Sequence, residues 1–309
     1  MKLIKSAAHN GIKNQKKTVE WQSYAMIAPQ IVGFLVFSLY PIIWVFGHAF
    51  YDYDGYTSRY IGVENFIRAF TRDPAFWKSI LNTFIIAYGK LIVELPLALI
   101  VALLLANGAI KVKKIFSVGY YMPMVTGTAT NCLIFSFLFA TFNGTVNNML
   151  MKIGAITAPI EWFSQKWTAM FVIMLESLWA GFAANVLYFM AGVQNVSEDV
   201  LEAADIDGAG RFTKFFKVTM PMLAPVIRVI LMLAMVNGVK IMNEVLLLTN
   251  GGPSDSTNVV MLHIYKMYFV NDGKPQLGYA SALGIITTVI LGIITFAYLR
   301  LSKKSDSVG

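Results

Sequence analysis

Cysteine is almost absent from this chain of 309 residues: Cys132 is the only one. A single thiol rules out an internal disulfide, and with three scattered histidines (His9, His48 and His263) no zinc-type ligand cluster can be assembled. Charge is also scarce. Asp, Glu, Lys and Arg together make up 14% of the residues, where a soluble domain carries about 25%. A Walker A loop is missing, since Gly273-Lys274 lacks both the upstream glycine and a following hydroxyl, so the chain has no phosphate cradle of that kind. Nor is there a nucleophile–base pair or metal set that an intramembrane enzyme would need. A soluble enzyme and a nucleotide hydrolase are thereby excluded.

Apolar surface is what the chain has in quantity. Hydrophobic residues reach 57%, and mean hydropathy is +0.61. A membrane-crossing helix needs about 20 mostly apolar residues. Six segments qualify: Tyr24–Phe50, Ser79–Ala106, Ile115–Ala140, Trp167–Gly192, Met222–Leu248 and Ala280–Leu301. The expected fold is an all-α membrane protein of six transmembrane helices. The first twenty residues are polar and lysine-rich with no apolar core, so they do not read as a cleavable signal, and the first span is expected to do the targeting.

The net charge of +8 is distributed, not concentrated in a nucleic-acid footprint. Lys2, Lys5, Lys13, Lys16 and Lys17 precede the first span, and Lys111, Lys113 and Lys114 separate the second from the third. Arg211, Lys214 and Lys217 lie between the fourth and fifth, and Arg300, Lys303 and Lys304 end the chain. With six spans all four groups fall on one side, the cytoplasm, placing both termini inside. Residues 1–20 are then a cytoplasmic tail and 21–309 a single membrane domain in the plasma or inner membrane.

The segment 197–221 is polar and lies between two long apolar runs. Ser197 can cap a helix whose first turn holds Glu198 and Asp199. Asp207-Gly208 supplies a turn, and Arg211 to Val218 forms a second short helix leading to Pro221. Small residues at the bend, Ala203, Ala204, Gly208 and Ala209, let another surface come close.

The sequence Glu202-Ala203-Ala204, two residues, Asp207-Gly208-Ala209, then Phe215 and Met220-Pro221 closely resembles the EAA loop of the membrane subunits of ATP-binding-cassette importers. The terminal Met-Pro stands where that family has Leu-Pro. Leu248-Thr249-Asn250-Gly251-Gly252-Pro253 with Ser256-Thr257 is similar to the sugar-importing branch, as are Gly62 to Phe66, Phe76-Trp77, Asn82-Thr83, Asn147 and Gly154. The resemblance covers the chain from about Tyr24 onward. It implies the type I importer permease fold and a coupling role for the 197–221 loop, with Glu202 as polar anchor on an ATPase subunit. It also implies two such ATPases holding ATP and Mg, a second homologous permease (a heterodimer in the family's usual form), and an extracytoplasmic solute-binding protein. The cargo it implies is a sugar, a di- or oligosaccharide, and the chain itself binds no cofactor and is no enzyme. Another polar solute, such as glycerol phosphate or a polyamine, and an ion-coupled secondary transporter are the rival readings.

Polar groups inside spans usually face a bundle interior or a wet path. Ser177, Gly181 and Ala184 share one face of the fourth span, and Asn237 and Gly238 sit within the fifth with Lys240, Asn243 and Glu244 beyond. In the sugar branch the corresponding stretches line the cargo site, and Tyr120, Tyr121, Trp179 and Tyr188 offer rings for stacking. The alternatives are close helix packing for the small residues, interfacial belts for the rings, and i,i+4 ion pairs for Lys240–Glu244 and Lys90–Glu94.

Overall fold

In the computed structural model, residues 21–106, 119, 121–269 and 274–306 are described. The expectations for the tail 1–20, for Lys111, Lys113 and Lys114 and for Tyr120 fall outside them. Five helices are long and apolar enough to cross a membrane: α1 (Trp21–His48), α3 (Pro74–Ala106), α6 (Lys166–Gln194), α8 (Arg211–Val239) and α11 (Leu277–Asp306). Shorter elements connect them: the strands β1 (Tyr51–Tyr53) and β2 (Ser58–Tyr60), then α2 (Glu64–Thr71), α4 (Thr128–Leu138), α5 (Thr145–Lys152), α7 (Glu198–Ile206), α9 (Asn243–Leu248) and α10 (Val260–Phe269).

The third apolar segment differs from its expected form. Its helix breaks at Thr126–Gly127, where Gly127 is extended (φ −64°, ψ 149°). Asn131 explains how the break survives in an apolar setting: its amide donates to the carbonyls of Pro123 (3.1 Å) and Thr126 (3.4 Å). Beyond the break, α4 is 11 residues long, about 16 Å at 1.5 Å per residue. The six-span count therefore turns on a segment that lies partly outside the described residues.

The expected fifth span Met222–Leu248 is two elements. α8 ends at Val239, and α9 starts only at Asn243. The turn between them sends Ile241 and Val245 into a buried cluster with Ile86, Met170, Ile173 and Leu262. Hydropathy registers those residues as apolar without registering that the backbone changes direction to bury them.

α3 and α6 pack along much of their lengths and form the spine of the bundle. Alanines Ala98 and Ala102 on α3 meet Val186 and Phe189 on α6, and Ile230 of α8 closes the same cluster. α1 is different. Its apolar residues are exposed over the span, and only its C-terminal end packs, where Trp44 stacks on His48 (3.9 Å) and the helix touches α11. Both α1 and α8 contain a wide π turn, Leu35–Leu39 and Phe215–Thr219, each ending two residues before a proline, Pro41 and Pro221. Proline has no N–H to give to the carbonyl four residues back, and the ladder widens beside it.

At the other end of the bundle the connecting segments form a cap held by side-chain amides and hydroxyls. Asn82 donates to the carbonyls of Ser256 and Asn258 (2.9 Å each), and Val260 N–H donates to Thr83 Oγ1 (2.9 Å). Thr257 Oγ1 donates to the Gly252 carbonyl, and Gly251 takes the positive φ of +84° that its turn demands. Asn147 ties the second outer segment, accepting from Ile160 N–H and Trp162 Nε1. Two of the stretches that resembled the sugar branch, Asn82-Thr83 and the turn around Gly251, thus meet in one place. Asp73 joins three elements here. Its Oδ1 caps α3 through Phe76 N–H (2.9 Å), and its Oδ2 accepts from Tyr279 (2.7 Å) and His263 (3.1 Å).

Burial pushes the Asp73 carboxyl up, but the hydrogen bonds from His263, Tyr279 and Phe76 outweigh it and hold the group down at about 2. A depressed acid stabilises the folded form above its unfolded value of about 3.9 and loses that contribution as pH falls through the folded value. Asp73→Ala should cost about 1–3 kcal/mol at neutral pH, read as a lower thermal midpoint of the purified protein. The gap from wild type should close as the pH of the melt is lowered through about 2.

Candidate functional site

Two features stand apart from the packed spine. The first is a cavity of about 310 Å³ between α3, α6 and the α8–α9 joint, at the lower end of the usual range for ligand sites. It is lined by Ala87, Lys90, Ser177, Ala180, Gly181, Asn237, Gly238, Lys240, Ile241 and Glu244. Ser177, Gly181, Asn237, Gly238, Lys240 and Glu244, singled out from separate spans by their polarity or size, are here brought together. Tyr188 is not among the lining residues and is 47% exposed. It shares the helical stripe of Ser177 and Gly181 but lies two turns further along α6. Ala184 is likewise not in the lining, and Trp179 packs beside Phe135 (5.6 Å) in a separate cluster.

Lys90, named from the sequence through its i,i+4 spacing to Glu94, also borders the cavity. Its ammonium donates to Ser177 Oγ at 2.8 Å and lies 3.8 Å from the Glu94 carboxylate. Glu94 is buried and accepts from Asn185 Nδ2 at 2.6 Å. The pair foreseen as local to α3 is therefore a tie between α3 and α6. The Lys240–Glu244 pair has no continuous helix to form on, since Lys240 terminates α8 and Glu244 lies in the first turn of α9; both face the cavity instead. Glu176, next to Ser177, is fully buried, and neither of its carboxylate oxygens has a hydrogen-bond partner.

Close backbone approach sets one wall. A Cβ on Gly238 would stand 2.6 Å from the Cβ of Ala87, so α8 reaches α3 only because that side chain is missing.

The second feature is the segment between α6 and α8. Glu198 and Asp199 occupy the first turn of α7, and Ser197 has the extended N-cap backbone (φ −61°, ψ 131°), but its hydroxyl makes no capping bond, contrary to expectation. The far end closes in a Schellman motif. Ala209 N–H donates to Ala204 O (2.9 Å), Gly208 N–H to Asp205 O (3.0 Å), and Gly208 takes φ +75°. Lys214 then pairs with Asp205 across the bend. The expected second short helix is not separate: Arg211 onward runs through the π turn into the span. Glu202, Ala203, Asp207 and Gly208 are exposed, while Ala204 and Ala209 are half-buried. Two large apolar side chains, Ile206 (87% exposed) and Phe212 (82%), project beside them. Apolar surface on a polar connecting segment marks a contact with another protein or with the membrane surface.

Membrane-length helices around a polar cavity, with an exposed helix-and-turn between two of them, define a solute permease. Residues 94–305 match the inner membrane component family of binding-protein-dependent transport systems, and the chain belongs to that family. It is 29% identical to the arabinooligosaccharides transport system permease protein AraP of Bacillus subtilis, over 100% of both chains. It is 32% identical to the probable ABC transporter permease protein YesP of the same organism, over 91% of this chain and 90% of that one. The lactose transport system permease protein LacF of Rhizobium radiobacter is 29% identical, over 94% and 96%. Among solved structures, a bacterial ABC transporter involved in import of the acidic polysaccharide alginate superposes with a TM-score of 0.81. That match covers 94% of this chain and 98% of the other at 22% identity, and it supports the fold.

Gly238→Val should force α8 away from α3 and lower stability by about 1–3 kcal/mol. Ala87→Gly in the same background should recover part of the loss, with thermal unfolding of the purified protein as the readout.

Proposed function

We propose that this chain is the permease subunit of an ATP-driven importer that takes up a di- or oligosaccharide handed over by an extracytoplasmic binding protein. Relatives aligned along the whole chain carry the names of arabinooligosaccharide and lactose permeases. The cavity suits such a cargo chemically: Ser177, Asn237, Lys90, Lys240 and Glu244 offer the hydrogen-bond donors and acceptors that hydroxyl groups need. In this reading Ser177, Gly181, Asn237, Gly238, Lys240 and Glu244 line the cargo path, and Tyr188 lies beside it.

Energy enters through residues 197–221. Glu202, Ala203, Ala204, Asp207, Gly208 and Ala209 dock in a groove of an ATPase subunit, with Ile206 and Phe212 adding apolar contact, a helix-in-groove mode of recognition. ATP and Mg reside on two such ATPases. A second homologous permease completes the membrane path, and the two rock between inward-open and outward-open forms as the ATPases close. Residues 1–20 form a cytoplasmic tail, and 21–309 form one membrane domain with six spans and both termini inside.

The observation that carries the reading is the α7 turn. A Schellman closure with Gly208 at positive φ presents Glu202 and the small residues at an exposed bend, and a single helix continues from that bend to the cavity. Reconstituted with its partners, Glu202→Ala and Gly208→Val should each uncouple sugar uptake from ATP hydrolysis. Gly208→Val strains the left-handed backbone by about 1–2 kcal/mol, whereas Gly208→Asn, which tolerates it, should retain most uptake. Wild-type coupling in both Glu202→Ala and Gly208→Val defeats the proposal.

A further inference from the structure

Lys90 is an ammonium placed midway along an apolar helix, its side chain 16% exposed. Such a charge is kept in a membrane bundle only when something offsets its desolvation. Three residues on two helices do so. Ser177 accepts one of its protons at 2.8 Å, and Glu94 stands at 3.8 Å, too far for a hydrogen bond but close enough to balance the charge. Glu94 is itself held by Asn185. Gly181 supplies the room: a Cβ there would lie 2.9 Å from Glu94 Oε1 and 3.8 Å from Lys90 Nζ. A lysine ammonium has three donors, and the contact with Ser177 uses one. The ammonium borders the cavity, which Lys240 and Glu244 line as well.

Lys90 and Lys240 stand against three carboxyl groups, Glu94, Glu244 and the fully buried Glu176, so this space carries no net positive charge. A field of this kind offers donors without attracting an anion.

We propose that Lys90 is a specificity-determining residue that donates to the hydroxyl oxygens of an uncharged saccharide. Glu94, held by Asn185 and admitted by Gly181, is the positioning residue that cancels its charge and so disfavours acidic sugars. This rests on the reading of the cavity as the sugar path.

The test uses the assembled complex of permeases and ATPases in nanodiscs, without the binding protein, and measures equilibrium binding of lactose, arabinotriose and trigalacturonate. Wild type should prefer the neutral sugars. Lys90→Met should weaken their binding about tenfold or more, the range for a hydrogen bond from a charged donor, and Lys90→Arg should recover part of it. Glu94→Gln, which keeps the shape but frees the positive charge, should shift the ratio of affinities toward trigalacturonate. A structural role alone would lower all three affinities together. Wild-type binding in Lys90→Met with binding lost in Asn237→Ala overturns the Lys90 assignment and leaves the cavity reading standing. Binding that survives both substitutions, or a wild-type complex that holds none of the three sugars, overturns the cavity reading itself. If Lys90→Met fails to assemble, an unchanged neutral-to-acidic ratio in Glu94→Gln overturns the proposal.

Discussion

The tie between Lys90 and Ser177, with Glu94 and Asn185 behind it, is the interaction on which the bundle interior depends. It lies where α3 and α6 cross a region with little water to compete, so its polar groups must satisfy one another. It joins the two most extensively packed helices and sets one wall of the cavity. Removing any one member leaves another buried and unpartnered, which in such surroundings costs more than the contact was worth. The small residues around it serve the same end. Gly181 admits a carboxylate, and Gly238 lets α8 approach close enough to form the opposite wall.

The outer cap solves a different problem. Segments between spans carry backbone groups that no helix or sheet satisfies, and each needs a partner. Asn65, Asn82 and Asn147 are all buried, and each donates its amide to main-chain carbonyls of a neighbouring segment. Asparagine suits the task because its amide offers donors and an acceptor on a short stem with little entropy to lose. The cap is therefore fastened by side chains reaching to backbone, with only one small two-stranded hairpin among the described residues.

Much of this was legible in advance. Long apolar runs announce spans because the bilayer sets their length, and Ser177, Asn237, Lys240 and Glu244 stood out because polarity is rare in such runs. The turn that closes α7 was readable from Gly208, since few residues other than glycine accept its φ. Other features depended on contacts distant in sequence. Lys90 looked self-sufficient beside Glu94, and nothing local in α3 reveals that its hydrogen bond goes to α6. The break before Thr128 and the joint after Val239 are changes of backbone direction inside apolar sequence, invisible to hydropathy. Tyr188 lies off the cavity lining because a shared helical stripe fixes the face of a residue, not its depth. Ser197 had the right backbone for a cap, but a hydroxyl rotor is settled by its surroundings.

The continuity of α8 has a mechanical consequence. Its 29 residues form a rod about 43 Å long, with the bend at one end and Asn237 and Gly238 at the other. Near the bend lies the π turn, the one stretch of the rod with a widened ladder. The fulcrum would be the contact of Gly238 with Ala87. A tilt applied at the bend would then be delivered to the cavity wall that α8 supplies.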